Sequence, residues 1–247
     1  IQHAEDYHLA ENGTVNDGII ATKLGLQGIT DLAEKVIIER DLSLLEDFNC
    51  RYHIAQISSS KSVEVIKHKK NDVDFSTGVS INNLSLNEND IGDFRTFLKL
   101  SPPLRTEEDR LSLIDAINKN LIDVIVSDHK PEDEESKRLT FTQAATGASG
   151  IETLLPLSLE LFHNGSVKLY RIIELLTSNP AKILKINKGN LSIGNDADFC
   201  IVDINKPWIV KKEKMISKSK NTCIENKKLQ GKVLYTYIRG NELFSLK

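Results

Sequence analysis

An α/β fold built on parallel strands is what this sequence predicts, and three observations predict it. From the first residue to about residue 126, apolar stretches with strand character alternate with stretches of helical spacing, the order expected of a parallel sheet wrapped by helices. The segment 122–126 is apolar except for Asp123 at its start, as in a strand covered on both faces. Past Gly189 the alternation stops, and short strand-like segments separated by turns take over.

The elements follow in order. Ile1-Gln2-His3 opens the chain as a strand and leads into a polar loop holding Gly13 and Gly18. Over 29–48, Leu32, Val36, Ile37, Leu44, Leu45 and Phe48 recur at helical spacing while Glu34, Lys35, Glu39 and Arg40 supply charge, which predicts an amphipathic helix. A strand is expected over 51–58, a helix over 61–69 with Val63, Val65 and Ile66 available for packing, and a weaker strand over 73–77. A polar loop then runs to Ser101-Pro102-Pro103-Leu104-Arg105, where two prolines stop any regular element. Residues 107–118 are helical, with Leu111, Ile114 and Ile117 on one face, and the strand 122–126 follows. A charged loop over 132–138 leads to Gly147-Ala148-Ser149-Gly150, then to helices near 152–162 and 169–176 and another beginning at Pro180. The last strands are expected over 197–203, 208–210, 232–239 and 242–244.

Only four strands belong to the parallel part, whereas a closed (β/α)8 TIM barrel has eight. The expectation is therefore the C-terminal half of such a barrel over 1–188, followed by a small β subdomain over 189–247. Met215 is the only methionine and the chain opens directly in a strand, so it reads as the back part of a longer protein.

Composition narrows the functional classes. With 32 basic and 35 acidic residues intermixed and a net charge of −3, there is no basic footprint for nucleic acid. No apolar run approaches a membrane span and no signal-peptide pattern opens the chain, so a cytoplasmic protein is expected. Three cysteines, Cys50, Cys200 and Cys223, are widely separated and odd in number; they read as buried, reduced thiols, not as a disulfide framework or a cysteine zinc site.

The chemistry-bearing residues sit where strands end. In IDVIVSDHKP, residues 122–131, an apolar strand runs straight into Ser127, Asp128 and His129. A carboxylate at the carboxyl end of a buried parallel strand stands where α/β barrels do their chemistry; equally, an Asp shortly before Pro is an ordinary turn or cap. His3 ends the first strand in His-Ala-Glu-Asp, so in a barrel His3 and Asp128 would face one mouth, and both are competent zinc ligands. Strand alternation groups Gln56 with Tyr52 and Ile54 and turns His53 to the other layer, which leaves Gln56, a poor zinc ligand, nearest the strand's carboxyl end. His8, His68 and His163 lack partners at ligand spacing, and Glu5-Asp6 and the acidic run 132–135 read more simply as solvated carboxylates. Gly147 to Gly150 lacks a phosphate-loop pattern but suits a substrate loop with exposed amides.

Taken together, HAED (3–6), YHIAQIS, KLSPPLRTEEDR (99–110), IDVIVSDHKP, GASGIETLLPL (147–157), LTSNPAKIL (176–184), and the tail with GNLSIGNDADFCIVD, SKSKNT and GKVLYTYIRG resemble a dihydroorotase over essentially the whole chain. The resemblance implies a metal-dependent barrel of the amidohydrolase superfamily that interconverts dihydroorotate and N-carbamoyl-aspartate in pyrimidine biosynthesis, with one or two zinc ions. It implies that His3 and Asp128 are metal ligands, that Asp128 is also the catalytic proton carrier, and that Ser101, Ala145 and Gly147 contact substrate. Four positions depart from the family pattern: Gln56 stands where a sixth-strand histidine belongs, Ser101 where a substrate-binding asparagine belongs, Glu132 where a substrate-binding histidine belongs, and Ile81-Asn82-Asn83 replaces a histidine-bearing segment. Three readings follow: a dihydroorotase, expected as a homo-oligomer; a non-catalytic dihydroorotase-like partner of aspartate carbamoyltransferase; or a hydrolase of another cyclic amide, such as a hydantoin.

Overall fold

The computed structural model describes all residues except Asn49 and Lys247. A three-stranded parallel sheet organises the first part of the chain, formed by β3 (Tyr52–Ile57), β4 (Phe75–Ser80) and β5 (Val124–Val126) in that order. Gln2 extends it by one bridge to Ile54, its amide donating to the His53 carbonyl at 2.9 Å and its carbonyl accepting from Ala55 at 2.9 Å. Four consecutive segments thus run side by side in one direction, as the alternating pattern predicts.

The connections cross over the sheet as helices. Between Gln2 and β3 lie α1 (Tyr7–Ala10), β1 (Val15–Asn16), α2 (Ile19–Leu24), β2 (Gly28–Ile29) and α3 (Leu32–Asp47); α4 (Ser60–Lys69) joins β3 to β4. Then α5 (Ile81–Ser85), two 3-10 turns and α6 (Glu107–Asn118) lead to β5. Thr106 caps α6 in a reciprocal box with Asp109. The helix expected over 29–48 begins only at Leu32, because Ile29 pairs in a small parallel ribbon with Asn16, which sequence patterning read as loop. Leu42, Ile54, Ile57, Ile66, Val79, Leu113 and Ile117 are fully buried between helices and sheet.

A buried polar network ties the ribbon to the sheet. Glu34 on α3 accepts from the Ser58 amide (3.0 Å) and hydroxyl (2.6 Å) just past β3. Arg105 donates to the Ser58 hydroxyl (3.1 Å), to Asn16 (2.8 Å) and to the Ile29 carbonyl (2.6 Å), and Asn16 donates to Glu88 at 2.6 Å. Every charged member is buried, so each hydrogen bond offsets a desolvation cost that an unpaired group would carry in full.

The later elements are α7 (Glu134–Lys137), α8 (Leu154–His163), α9 (Leu169–Leu176) and α10 (Ser178–Leu184), then an antiparallel sheet of β6 (Phe199–Ile209), β7 (Lys228–Ile238) and β8 (Asn241–Ser245). The two strands expected at 197–203 and 208–210 are one strand whose pairing slips between Asp203 and Pro207. Gly231 lets β7 approach α8 closely, since a Cβ there would overlap the Leu159 side chain. Of the cysteines only Cys223 is buried; Cys50 and Cys200 are exposed, contrary to the expectation of three core thiols. No helix among the described residues is long and apolar enough to cross a membrane.

Gly78 marks the tightest point of the sheet: a Cβ would run into the Ala55 carbonyl oxygen and lie 3.2 Å from a Val124 methyl. Gly78→Ala is expected to cost about 2 kcal/mol, as overpacking in a closed interior does, read as a lowered urea midpoint with an unchanged slope.

Candidate functional site at the carboxyl edge of the sheet

The parallel pairing brings the carboxyl ends of the four segments to one edge. His3 follows the first, Gln56 lies in the last turn of the second, Ser80 ends the third, and Asp128 follows the fourth. Strand β3 does not alternate simply. Ile54 pairs with Thr77 but Ile57 with Val79, so one extra residue is accommodated between them. Ile57 rather than Gln56 therefore continues the phase of Ile54, and both isoleucines are fully buried. Gln56 is freed to reach the Ser101 carbonyl at 3.2 Å, which corrects the grouping of Gln56 with Tyr52 and Ile54.

Ser101, before a cis Pro102, sits at the centre of this edge. Its hydroxyl lies 3.1 Å from His3 Nε2 while its carbonyl accepts from Gln56. Asp128 takes a left-handed backbone with φ of 46° and accepts from Ser80 Oγ at 3.4 Å. Burial raises the proton affinity of Asp128 above the usual carboxylate range; Gln56, Ser80, Asn82 and the charge of His3 pull the other way. Of those three polar neighbours only Ser80 makes a hydrogen bond to it, and the buried Asn82 Nδ2 has no partner. Expected residues His3, Ser101 and Asp128 thus converge, together with Gln56.

Ala145 and Gly147 lie in the neighbouring segment. The Gly147 amide donates to the Lys99 carbonyl at 2.9 Å, two residues before Ser101. Gly147 has φ of 137°, and a Cβ there would come within 2.6 Å of the Lys130 carbonyl, so the position admits no larger residue without rearrangement. Ser101, Lys99, Lys130, Thr146, Thr14 and Glu5 line a cavity of about 270 Å³. A larger cavity of about 820 Å³, bordered by Arg110, Glu160 and Gln230, contains none of the candidate residues.

His53 and His129 are committed elsewhere. His53 Nδ1 pairs with Ser76 at 2.7 Å, and burial lowers its pKa. His129 accepts from the Gly150 amide at 3.2 Å, fixing the turn after β5 to the 147–150 loop. Glu132, which the resemblance sets in the place of a substrate-binding histidine, has its backbone engaged by Asn221 and Ser219. His3 and Asp128 are donors of the right kind for zinc. They are two, however, where a zinc centre takes three or more protein ligands, and among the described residues no group of three His, Cys, Asp or Glu is disposed to hold a metal.

Two lysines escaped the sequence reading. Lys137, in the charged run 132–138, is 1% exposed, and Lys99 is 8% exposed. Lys137 donates to the carbonyls of Ala145 (2.7 Å) and Gly147 (2.9 Å), and Lys99 to those of Thr142 and Ala144 (both 2.8 Å). A lysine among glutamates normally signals a solvated ion pair, so no local pattern marks Lys137 as buried.

The model of the amidohydrolase family matches residues 3–243. The chain belongs to the amidohydrolase family. This amidohydrolase chain is 41% identical over 246 residues to a dihydroorotase of Ehrlichia canis (strain Jake), covering 99% of the chain and 55% of that protein. It is 39% identical over 243 residues to a dihydroorotase of Acetivibrio thermocellus, covering 98% and 57%. The resemblance found in the motifs therefore holds along the amidohydrolase chain, which spans about half the length of the curated relatives it matches. Among solved structures, an L-hydantoinase from Arthrobacter aurescens superposes with a TM-score of 0.85 at 27% identity, covering 98% of this chain and 56% of that one. A dihydropyrimidinase from Brevibacillus agri, TM-score 0.85 at 20% identity, shares the fold.

Burial lowers the Lys137 pKa from 10.5 to about 8. Below about pH 8 both folded and unfolded chains carry this proton and the burial penalty is full; between about 8 and 10.5 only the unfolded chain holds it, so stability rises with pH. Urea unfolding of the wild type relative to Lys137→Met should show that rise.

Proposed function

We propose that this amidohydrolase chain carries part of the active site of a dihydroorotase, which opens the ring amide of dihydroorotate to N-carbamoyl-aspartate and closes it again in pyrimidine biosynthesis. The observation that carries the reading is the gathering of His3, Ser101 and Asp128 at one sheet edge, in a chain 38–41% identical to dihydroorotases of several bacteria. Residues 1–188 would form the C-terminal half of a (β/α)8 barrel and 189–247 a segment of a small β subdomain.

In this reading Asp128 is the proton carrier. It takes a proton from the water that adds to the ring amide and delivers it to the departing nitrogen. The desolvation that raises its proton affinity suits a group that must both accept and return a proton. Ser101 and the segment that carries Ala145 and Gly147 border the substrate, with the Thr146 amide between them left free of protein acceptors among the described residues. His3 and Asp128 would hold zinc, which when bound polarises the amide and eases deprotonation of water. The protein acts in the cytoplasm on small molecules, as a homo-oligomer, with neither nucleic acid nor membrane as partner.

Asp128→Asn, made in the protein that carries this chain, should reduce dihydroorotate turnover by about 10²-fold or more, the usual contribution of a positioned acid or base. Turnover equal to wild type would end this role for Asp128. A panel of cyclic amides tests the hydantoin alternative, which exclusive use of dihydroorotate removes.

One observation favours a second reading, a non-catalytic partner of aspartate carbamoyltransferase. Gln56, at the position of a family histidine, is occupied with the Ser101 carbonyl, and an amide is a weak zinc ligand. On that reading the purified protein lacks stoichiometric zinc and co-elutes with aspartate carbamoyltransferase; stoichiometric zinc without such association excludes it.

A further inference from the structure

The segment 142–147 turns its carbonyls inward onto two ammonium groups. Lys99 takes those of Thr142 and Ala144, and Lys137 those of Ala145 and Gly147. Asn221, from the far end of the chain, adds a third donor to the Gly147 carbonyl at 3.1 Å. The carboxylates adjacent to Lys137 do not neutralise it, because Glu134 and Glu135 both pair with Arg138 at the surface. Burying an ammonium without a carboxylate is costly, and a hydroxyl or a water would satisfy a carbonyl more cheaply. An ammonium carries three donors on a tethered side chain, so it can fix two carbonyls at once, which a hydroxyl with its single donor cannot.

The amides complete the arrangement. Gln143 and Ala144 donate to the Thr140 carbonyl, Ala145 to that of Ser136, and Gly147 to that of Lys99. Within 143–147 only the Thr146 amide has no protein acceptor among the described residues, and Thr146 lines the 270 Å³ cavity beside Ser101. The segment thus has its carbonyls committed to the interior at a stretch that borders the candidate site.

We propose that Lys99 and Lys137 are positioning residues that hold the 142–147 segment in its substrate-binding conformation by clamping four of its carbonyls. The inference rests on the dihydroorotase reading for the identity of the substrate, though not for the clamp itself. Each ammonium acts through the backbone, Lys137 through the carbonyls of Ala145 and Gly147 and Lys99 through those of Thr142 and Ala144. Loss of one clamp should leave the reacting groups at Asp128 in place and weaken substrate capture, so KM rises while kcat is kept.

The test uses the protein that carries this chain, with Lys137→Met, Lys99→Met and Lys137→Arg compared with wild type by hydrogen exchange and by dihydroorotate kinetics. The expected result is faster exchange at the amides of 143–149 with unchanged exchange in β6 and β7, a KM for dihydroorotate raised about tenfold with kcat within about threefold, and partial recovery of both in Lys137→Arg. Lys99→Met carries the test if Lys137→Met does not fold. Unchanged protection of 143–149 in the folded methionine variants overturns the clamp. Faster exchange with KM unchanged overturns its role in substrate binding, as does a fall in kcat alone, which marks loss of folded enzyme. A wild-type protein that does not turn over dihydroorotate ends the functional reading, and the exchange data still decide the clamp.

Discussion

The parallel pairing of Gln2, β3, β4 and β5 is the constraint on which the rest of the molecule depends. Parallel strands bring all their carboxyl ends to one edge, and here those ends carry His3, Gln56, Ser80 and Asp128. Residues separated by 125 positions of chain meet because the pairing leaves them no other place. The closeness of β3 and β4 at Gly78, where the Ala55 carbonyl leaves no room for a side chain, belongs to the same constraint.

Around that edge, polar groups are buried in connected sets. The Glu34, Ser58, Arg105, Asn16 and Glu88 network fixes the amino-terminal ribbon to the start of α4. The Lys99, Lys137 and Asn221 set fixes the 142–147 segment to both the middle and the end of the chain. A buried charge without a partner would be strongly destabilising, so each set resists piecemeal change. Cys223 belongs to this interior too: its thiol donates to the Phe97 carbonyl at 3.1 Å, and burial pushes its pKa up to about 12, which keeps it unreactive.

Gln56 serves as a donor to the Ser101 carbonyl, and Asn83 donates to the Pro103 carbonyl at 2.9 Å, so two amide side chains both bind the 101–103 turn. The same turn presents the Ser101 hydroxyl to His3. Amide side chains here hold the backbone that shapes the edge on which His3 and Asp128 stand.

By itself the sequence determined the α/β class, the order of the main strands and helices and the change to short strands after Gly189, and it offered His3 and Asp128 as candidates at strand ends. Those signals are local: helical and strand periodicity, the prolines at 102 and 103, an apolar run ending in a carboxylate. Only the tertiary structure decided the ribbon of Val15–Asn16 with Gly28–Ile29, too short to show a period. It also decided the irregularity in β3 that redirects Gln56, since an extra residue in one strand is defined only by its partner. Lys137 makes the same point most sharply. The run just before it, Asp133 to Glu135, is acidic and exposed, but the lysine's acceptors are carbonyls eight and ten residues away, and burial is a property of the assembled fold, not of composition.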